Sequence, residues 1–525
     1  MFKRFLYIVL TVSFASTLLF GCGGKENLGS PDVIKWVGTP NMPVESNSMV
    51  QKFIEDKYNV QLEVKSITID YYQKLGADIA GGDVPDVMFI NEPQNWQPLV
   101  DQGLLAEIDQ DFLKDYAPRH YAAIEQVDKT IWAAGMYKDA LYAVPKIMGN
   151  EYNTVMVWRG DWLDNLGIKQ IPDTIDEFEY SFRKFRYDDP DGNGKKDTYG
   201  LTGMGGSAQR QFDEIFGAYG IMPGQWKVVG DKVCNSTTMD AAKDVIALLN
   251  QWYKEELIDP EMITDKQDNV VEKLEQGRIG AIHTALSNVS MNHPQGRSKF
   301  ESMKKTNPNS VIEQRVGKLP AGPSGQRGDW LWGPRSNFIV FGSHLKNDAE
   351  KMSKILEILD DINYDEETAL KVVFGDRGRT YDYIDPEIGA ASGVKYLPPF
   401  DTDKNARAKE GIGQQGFFNM LAPVSDWAAI DVANKYANAD FKKENEELAY
   451  WGSYQDDLMR PQLPSSIRFQ GDLDKLKTTA YSEFITGVRS IDSWDAFVNE
   501  YMDKGGAILE QEAQEYYVNY IKDIK

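Results

Sequence analysis

The segment Asp189–Asp197 carries oxygen-bearing side chains at alternate positions, the spacing of a calcium-binding loop. Calcium prefers several oxygen ligands, and this segment supplies carboxylates, an amide and a backbone carbonyl. The candidate ligands are Asp189, Asp191, Asn193, Lys195 through its carbonyl, and Asp197. Gly194 fits the sharp turn of such a loop, but Gly200 stands where a regulatory EF-hand has its bidentate glutamate. We therefore predict a structural calcium site and no regulatory EF-hand, with a metal-free Asp/Gly turn as the alternative.

Aromatic side chains in irregular loops form a second group with possible binding chemistry. Sugar rings present apolar C–H faces that stack on aromatic rings, while their hydroxyls need polar partners. The candidate ligand contacts, all near Gly or Pro or in irregular loops, are Trp96, Tyr152, Trp226, Trp330, Trp332, Tyr381 and Phe417, with Asn91 and Arg379 as polar partners. Trp330 and Trp332 would form a platform on one face of a strand, because side chains two residues apart point the same way. The alternative for each ring is a place in the core.

Catalytic motifs are absent from the sequence. It contains no G-x-S-x-G, H-E-x-x-H or P-loop pattern, and its four histidines are scattered. The string from Gly203 to Ala208 fits G-x-G-x-x-A, but it does not follow the first strand of a βαβ unit, so we interpret it as a loop before a helix at 207–219. We predict that the protein is not an enzyme. A surface glycosidase or lyase stays as the alternative, because 80 acidic residues always offer a pair of carboxylates.

The amino-terminal segment is typical of an export signal. Lys3 and Arg4 precede the uncharged apolar run Phe5–Phe20, which is short for a membrane span. The string Leu19–Cys22 resembles the lipobox of bacterial lipoproteins, which implies cleavage before Cys22 and lipidation of its thiol with diacylglycerol and palmitate. We assign residues 1–21 to a signal peptide and 22–31 to a tether that holds the protein on the extracellular face of the cell membrane. An ordinary signal peptide or an uncleaved anchor is the alternative.

Charge and cysteine content narrow the classes of partner. The chain of 525 residues has 57 Lys and Arg against 80 Asp and Glu, a net charge of −23. This negative charge excludes nucleic acid as a partner, because proteins bind nucleic acid through Lys and Arg side chains that neutralise its phosphates. Two cysteines build neither a disulfide framework nor a zinc site, so burial alone must hold the core together.

Short buried strands alternate with helices from Asp32 onward, which predicts a parallel sheet of the α/β class. The predicted strands are 33–37, 60–64 and 86–90, and the predicted helices are 47–57 and 71–81. Ligands bind beyond the carboxyl ends of such strands, which indicates loops 38–43 and 91–96. Capping boxes at Thr174 and Thr237 predict two later helices. A strand at 337–341 resumes the alternation, as it would if the chain crossed to a second lobe and returned.

Four ordered motifs resemble the family 1 extracellular solute-binding proteins, and more narrowly the large lipoproteins similar to the alginate-oligosaccharide-binding proteins. The motifs are Gly81–Phe89, Leu99–Ile108, Trp158–Gly167 and Asp188–Gly200. The resemblance implies a periplasmic-binding-protein-like fold with two α/β lobes, a hinge and an inter-lobe ligand cleft. It implies an N-terminal lobe of residues 32–150 and about 335–405, and a C-terminal lobe of residues 151–334 and about 406–525. Arg377 departs from the family pattern, because members often carry an acid there.

The resemblance also implies a function. It predicts a lipid-anchored monomer that captures an oligosaccharide and delivers it to the permease subunits of an ABC transporter. Arg377 and Arg379 would favour an acidic sugar if they face the cleft. A peptide ligand, or a role as the partner of a sensor, remains open on the same fold.

Overall fold

The computed structural model describes residues 31–40, 42–147, 154–205, 211–286, 289, 313–330, 334–413, 417–418, 420, 439–448, 453–454 and 456–524. The strands within them are β1 (Asp32–Gly38), β2 (Val60–Ser66), β3 (Val87–Ile90), β4 (Met136–Tyr137), β5 (Ala140–Leu141), β6 (Ala143–Ile147), β7 (Thr154–Arg159), β8 (Trp226–Val229), β9 (Lys232–Asn235), β10 (Ala281–Ala285), β11 (Gln314–Gly317), β12 (Asp329–Trp330), β13 (Arg335–Phe341), β14 (Tyr381–Tyr383), β15 (Val394–Tyr396) and β16 (Ser453–Tyr454).

The α-helices within the same residues are α1 (Met49–Tyr58), α2 (Tyr71–Ala80), α3 (Gln97–Asp101), α4 (Gln110–Tyr116), α5 (Pro118–Val127), α6 (Gly160–Asn165), α7 (Ile175–Tyr187), α8 (Asp213–Ala218), α9 (Asp240–Lys254), α10 (Gln267–Glu275), α11 (Ala349–Tyr364), α12 (Glu366–Phe374), α13 (Lys404–Glu410), α14 (Ala439–Leu448), α15 (Ser466–Thr486), α16 (Trp494–Tyr501) and α17 (Ala507–Tyr520). None of the described helices is both long and apolar enough to cross a membrane.

The first lobe is built on a five-stranded sheet in the order β2-β1-β3-β13-β6. Strand β1 runs parallel to β2 and β3, which confirms the predicted parallel core of this lobe. Strand β13 is antiparallel to both β3 and β6. The carboxyl ends of β1, β3 and β6 therefore lie at one edge of the sheet, together with the beginning of β13. This edge is where a ligand is expected to bind.

The second lobe contains a three-stranded sheet in the order β10-β7-β11, and both pairings are antiparallel. The predicted parallel sheet rests on strands 33–37, 60–64 and 86–90 of the first lobe, and the sequence predicts no strand direction for this second sheet. Hydrophobic patterns mark a strand as buried, but the route of the connecting chain decides its direction, and that route is not local information.

Local capping signals decide where some helices begin. Thr174 and Glu177 form a complete capping box at the start of α7, as predicted. The box predicted at Thr237 is wrong: Thr237 lies in a 3-10 turn, and α9 begins three residues later at Asp240. The side chain of Asn235 accepts a hydrogen bond from the Thr237 amide and caps that turn instead. The helix predicted for 207–219 is shorter than expected, since α8 spans Asp213–Ala218 and residues 206–210 lie outside the described part.

Each lobe has its own hydrophobic core. The first sheet is covered on both faces, and one of its cores includes Phe417, Phe418 and Met420. The first lobe thus extends past the boundary expected near residue 405. The second lobe's largest core joins α7, α9, α15 and α16. The chain crosses from the core of one lobe to that of the other in the interval from Ile147 to Thr154. It crosses again from Trp330 to Arg335, and once more after Met420.

Candidate functional site

The two lobes meet where these crossings join their sheets. Thr154 begins β7 and pairs with Ala285 at the end of β10, so both lie at the edge of the second sheet that faces the first crossing. Asp329 and Trp330 form the short strand β12, which pairs in parallel with Ser453 and Tyr454 of β16. The crossings therefore bring residues far apart in sequence to one junction, and the candidate cleft lies there.

A cluster of ionisable side chains is buried at the second-lobe edge of this junction. His283 on β10 places its Nε2 3.2 Å from an oxygen of Asp329 and its Nδ1 3.3 Å from an oxygen of Glu214. The hydroxyl of Thr154 donates a 2.6 Å hydrogen bond to Asp329, and the Trp330 amide donates to the other oxygen of the same carboxylate. Asp329 and Glu214 are both buried. The cluster ties β7, β10, α8 and β12 together beside Trp330.

The electrostatics of this cluster favour a charged imidazole. Burial alone would lower the pKa of His283, but the carboxylates of Asp329 and Glu214 raise it well above its ordinary value. Burial likewise opposes ionisation of Asp329, yet the His283 imidazolium and the hydrogen bonds from Thr154 and Trp330 lower its pKa. The arrangement is a buried ion pair in which both Asp329 oxygens accept hydrogen bonds, whereas His283 Nε2 lies close to Asp329 without forming a hydrogen bond.

Sequence reasoning missed this cluster. It interpreted the four histidines as scattered, and no local pattern links positions 154, 214, 283 and 329. These residues belong to different elements and meet only through tertiary packing, so no spacing rule could have found them.

Among the described aromatic candidates, Trp330 is the one that is only partly buried. It is half-buried, packs against the edge of the second core and follows Asp329 at the crossing. Its predicted platform partner Trp332, and the candidate Tyr152, lie outside the described residues. The platform therefore stays a prediction.

Four other aromatic candidates lie in the interior. Trp96 is fully buried between the rings of Tyr137 and Phe338. Trp226 and Phe417 belong to the cores of the second and first lobes, and Tyr381 is 5% exposed. Large aromatic side chains gain most by leaving water, so a ring in a short loop is drawn into a core whenever the loop lies over one. These four rings are buried and pack within the lobes.

The two predicted polar contacts differ in their surroundings. Asn91 is exposed at the carboxyl end of β3, and its backbone amide donates a 2.8 Å hydrogen bond to the hydroxyl of Tyr72. Arg379 instead forms a bidentate pair with Glu410, at 2.9 and 3.2 Å. Arg377 pairs with Asp382 and stacks on Tyr383. The structure does not bring Arg379 together with Asn91 or Trp330 in any described contact, and both arginines already have acidic partners.

The predicted calcium loop is exposed and folds back on its own carboxylates. The Asn193 side-chain nitrogen lies 2.8 Å from Asp191 and 3.2 Å from Asp197. The backbone amides of Asn193 and Gly194 donate hydrogen bonds to the two carboxylate oxygens of Asp189. No group of three or more His, Cys, Asp or Glu side chains among the described residues is arranged to hold a metal.

The charge of the loop nevertheless fits a cation. The pKa of Asp191 is raised by partial burial and by the neighbouring charges of Asp189 and Asp197. A divalent cation would remove that repulsion, and the donor set consists of hard oxygens. Asn193 would have to present its amide oxygen in place of the nitrogen, and Lys195 would contribute its carbonyl.

Comparison with known proteins decides the family. The sequence profile described as bacterial extracellular solute-binding protein matches residues 39–343, more than half of the chain. The chain belongs to that family. Among curated relatives, this solute-binding protein is 25% identical to lipoprotein LipO of Bacillus subtilis over 533 residues, 97% of each chain. It is 26% identical to the polygalacturonan/rhamnogalacturonan-binding protein YtcQ of the same species, over 68% of this chain and 70% of the relative.

Solved structures confirm the fold of this solute-binding protein. An HMO-binding, ABC-transporter-associated solute-binding protein of Bifidobacterium longum infantis has a TM-score of 0.65 at 18% identity, with 93% of this chain and 99% of the other covered. An EF-hand mutant of FusA of Streptococcus pneumoniae, in complex with fructo-nystose, has a TM-score of 0.61 at 18% identity, covering 94% and 100%. The alginate-binding protein AlgQ2, solved without calcium ion, has 0.55 at 17% identity, covering 93% and 98%. The predicted two-lobed α/β fold with hinge and cleft is confirmed.

Proposed function

We propose that this solute-binding protein captures an oligosaccharide between its lobes and delivers it to the permease of an ABC transporter without catalysing a reaction. The observation that carries the proposal is the junction itself: Trp330 stands beside a buried polar cluster at the point where the two sheets meet. FusA is named a fructooligosaccharide ABC transporter substrate-binding protein and was solved with fructo-nystose, and YtcQ is named a polygalacturonan/rhamnogalacturonan-binding protein.

The chemistry of the junction suits a polyhydroxylated ligand. An indole face at Trp330 would cover the apolar face of a sugar ring, and exposed amides such as Asn91 would bond its hydroxyls. Binding would shift the protein from an open to a closed arrangement, so that the measured affinity equals the closed-state contact energy less the cost of closure. Because Arg377 and Arg379 are paired with acids, nothing in their contacts demands an acidic sugar.

A thermal-shift screen against a library of neutral and acidic oligosaccharides tests this proposal. A ligand at about 100 times its dissociation constant adds about 2.7 kcal/mol to the free energy of unfolding, which is well above the scatter of such measurements. We expect at least one oligosaccharide to raise the melting temperature and to be recovered unchanged. Sustained conversion of that oligosaccharide into products would support the enzyme alternative instead.

We further propose that the loop Asp189–Asp197 binds calcium as a structural ion. The side chains of Asp189, Asp191, Asn193 and Asp197 and the carbonyl of Lys195 would hold it. The loop already connects to α6, since Asn165 donates a 2.9 Å hydrogen bond to the Pro190 carbonyl. Support comes from two proteins of the same fold, since FusA was solved as an EF-hand mutant and AlgQ2 was solved without calcium ion.

Removal of calcium is expected to lower the melting temperature by about 5 to 10 °C. Calcium at about 100 times its dissociation constant adds about 2.7 kcal/mol to the free energy of unfolding. In a lobe of this size each kcal/mol shifts the melting temperature by about 2–4 °C. Differential scanning fluorimetry with and without a chelator measures the change. Asp191→Asn should respond weakly to added calcium, whereas the exposed control Asp495→Asn should respond as wild type does. A chelator-insensitive wild type that contains no calcium would show that the loop is only a turn.

We also propose a lipid anchor at Cys22, which lies outside the described residues. The lipobox-like string and the similarity to LipO, which is named a lipoprotein, support it. Cys22→Ala is expected to abolish incorporation of labelled palmitate and to move the protein out of the lipidated membrane pool. Metabolic labelling followed by fractionation measures both, with Cys234→Ala as the matched cysteine control. A Cys22→Ala protein that is still labelled and processed like wild type would contradict the anchor.

A further inference from the structure

The segment Asp456–Arg460 lies against both lobes at their junction. Leu458 packs into the main core of the second lobe, while the next residue, Met459, packs into a core of the first lobe. The segment therefore changes lobes within a single peptide unit. Any movement of one lobe against the other must be absorbed here or at the two other crossings.

Arg335 fixes this segment to the first sheet. It is the first residue of β13 and is fully buried. Its guanidinium donates 2.9 Å hydrogen bonds to the carbonyls of Met459 and Arg460. A buried guanidinium has several donors to satisfy, and backbone carbonyls of the segment Asp456–Arg460 satisfy two of them.

Glu92 connects Arg335 to Arg460. One oxygen of the Glu92 carboxylate lies 3.1 Å from the Arg335 guanidinium and the other lies 3.3 Å from that of Arg460. Arg460 in turn donates a 3.1 Å hydrogen bond to the Arg335 carbonyl. Glu92 belongs to the loop after β3, next to Asn91 on the expected ligand-binding edge. We call Glu92, Arg335 and Arg460 the pivot clamp.

The backbone held by the clamp is strained. Met459 and Arg460 have φ values of 59° and 56°, two consecutive non-glycine residues in the left-handed region. Such a conformation is strained for residues that carry a side chain and persists only where its surroundings impose it. The buried carboxylate of Asp456 helps to impose it, because it accepts hydrogen bonds from the amides of Leu458 and Arg460.

The second lobe is anchored near the same place by its last helix. The Tyr516 hydroxyl on α17 donates a 2.9 Å hydrogen bond to the Ala133 carbonyl of the first lobe. The Asp456 carboxylate also accepts from the Trp226 amide on β8, at 3.0 Å. The clamp is therefore braced by rigid elements on both sides.

We propose that Glu92 is the positioning residue of the lobe hinge: by holding Arg335 and Arg460 together, its carboxylate keeps Asp456–Arg460 in the strained conformation and confines the ligand-free lobes to a narrow range of separations. The inference rests on the proposed function in one respect: it assumes that the lobes move relative to each other when the protein binds its ligand. Removing the Glu92 charge breaks the link between the two guanidiniums, relaxes the two left-handed residues and widens the range of lobe positions.

Distances between spin labels in the ligand-free full chain test the clamp. Labels at Ile69→Cys in the first lobe and Val488→Cys in the second occupy side chains that are 67% and 79% exposed. Both native cysteines are replaced, as Cys22→Ala and Cys234→Ser. We expect Glu92→Gln to widen the distance distribution between the labels and to speed amide exchange of peptide 456–460 by about tenfold, the effect of losing one charged hydrogen-bond partner.

Glu410→Gln is the matched control. Glu410 also accepts hydrogen bonds from an arginine guanidinium, and its side chain is 28% exposed against 30% for Glu92. Unlike the contacts of Glu92, its pair with Arg379 lies within one lobe. We expect it to leave the distance distribution unchanged. Faster exchange without a wider distribution, or equal widening in both variants, would overturn the proposal. If Glu92→Gln does not fold, Glu92→Asp, whose carboxylate is one methylene shorter and so cannot reach both guanidiniums, must widen the distribution or the proposal falls. No ligand is added, so these outcomes are independent of whether the protein binds an oligosaccharide.

Discussion

His283→Ala is expected to lower the free energy of unfolding by about 3 to 5 kcal/mol, the cost of breaking a buried ion pair by removing one partner. The change leaves the buried carboxylates of Asp329 and Glu214 without the cation that lies between them. Urea unfolding of wild type and variant at several pH values measures the loss.

The expected pH dependence has a definite direction. The raised pKa of His283 means that its stabilisation is complete below the unfolded pKa of about 6.5 and is lost as the pH rises toward the folded value. The lowered pKa of Asp329 means that its contribution to stability is present above about pH 3.9, the pKa of the unfolded state. This contribution is lost as the pH falls through the pKa of the folded state. The difference between wild type and His283→Ala should therefore be largest at about pH 6 and shrink at alkaline pH.

His344→Ala provides the matched control for this prediction. His344 also lies beside a carboxylate, 2.8 Å from Asp86, but its side chain is 48% exposed. Because the His344 ring is half-exposed and Asp86 keeps its contact with Lys351, this variant should stay close to wild type. Equal losses in the two variants, or a His283→Ala effect that does not vary with pH, would contradict the role assigned to the cluster.

Trp330→Ala is expected to weaken binding of the best oligosaccharide from the library by about 2 kcal/mol, roughly thirtyfold in dissociation constant. The reason is the loss of the only described candidate ring that is not enclosed in a core and stands at the junction. Isothermal titration calorimetry measures the affinity, and the tryptophan fluorescence of wild type should change on binding.

Trp252→Ala separates a binding role from a packing role. Trp252 is fully buried on α9 and donates a hydrogen bond to Glu179. Its removal should cost about 3 to 5 kcal/mol of folding stability, as large-to-small changes in cores do. Trp330→Ala should lose clearly less stability than Trp252→Ala. If it loses as much and binds the oligosaccharide with unchanged affinity, Trp330 is a core residue.

Local sequence information determined much of the first lobe. The strands predicted at 33–37, 60–64 and 86–90 are present as β1, β2 and β3, and their parallel order follows from the helices between them. The capping box at Thr174 set the start of α7 because its hydrogen bonds join residues three apart. The motifs also identified the family, which the sequence profile confirms.

Only the tertiary structure decided which side chains the junction brings together. A Gly/Pro-flanked aromatic ring has the same local signature whether the loop lies over a cleft or over a core, and Trp96 and Phe417 prove to be interior. His283 gains its charged neighbours, and Glu92 its two arginines, from elements tens to hundreds of residues away. Secondary structure depends on contacts between near neighbours, which the sequence records. The binding junction and the pivot clamp depend on long-range packing, which local patterns leave open.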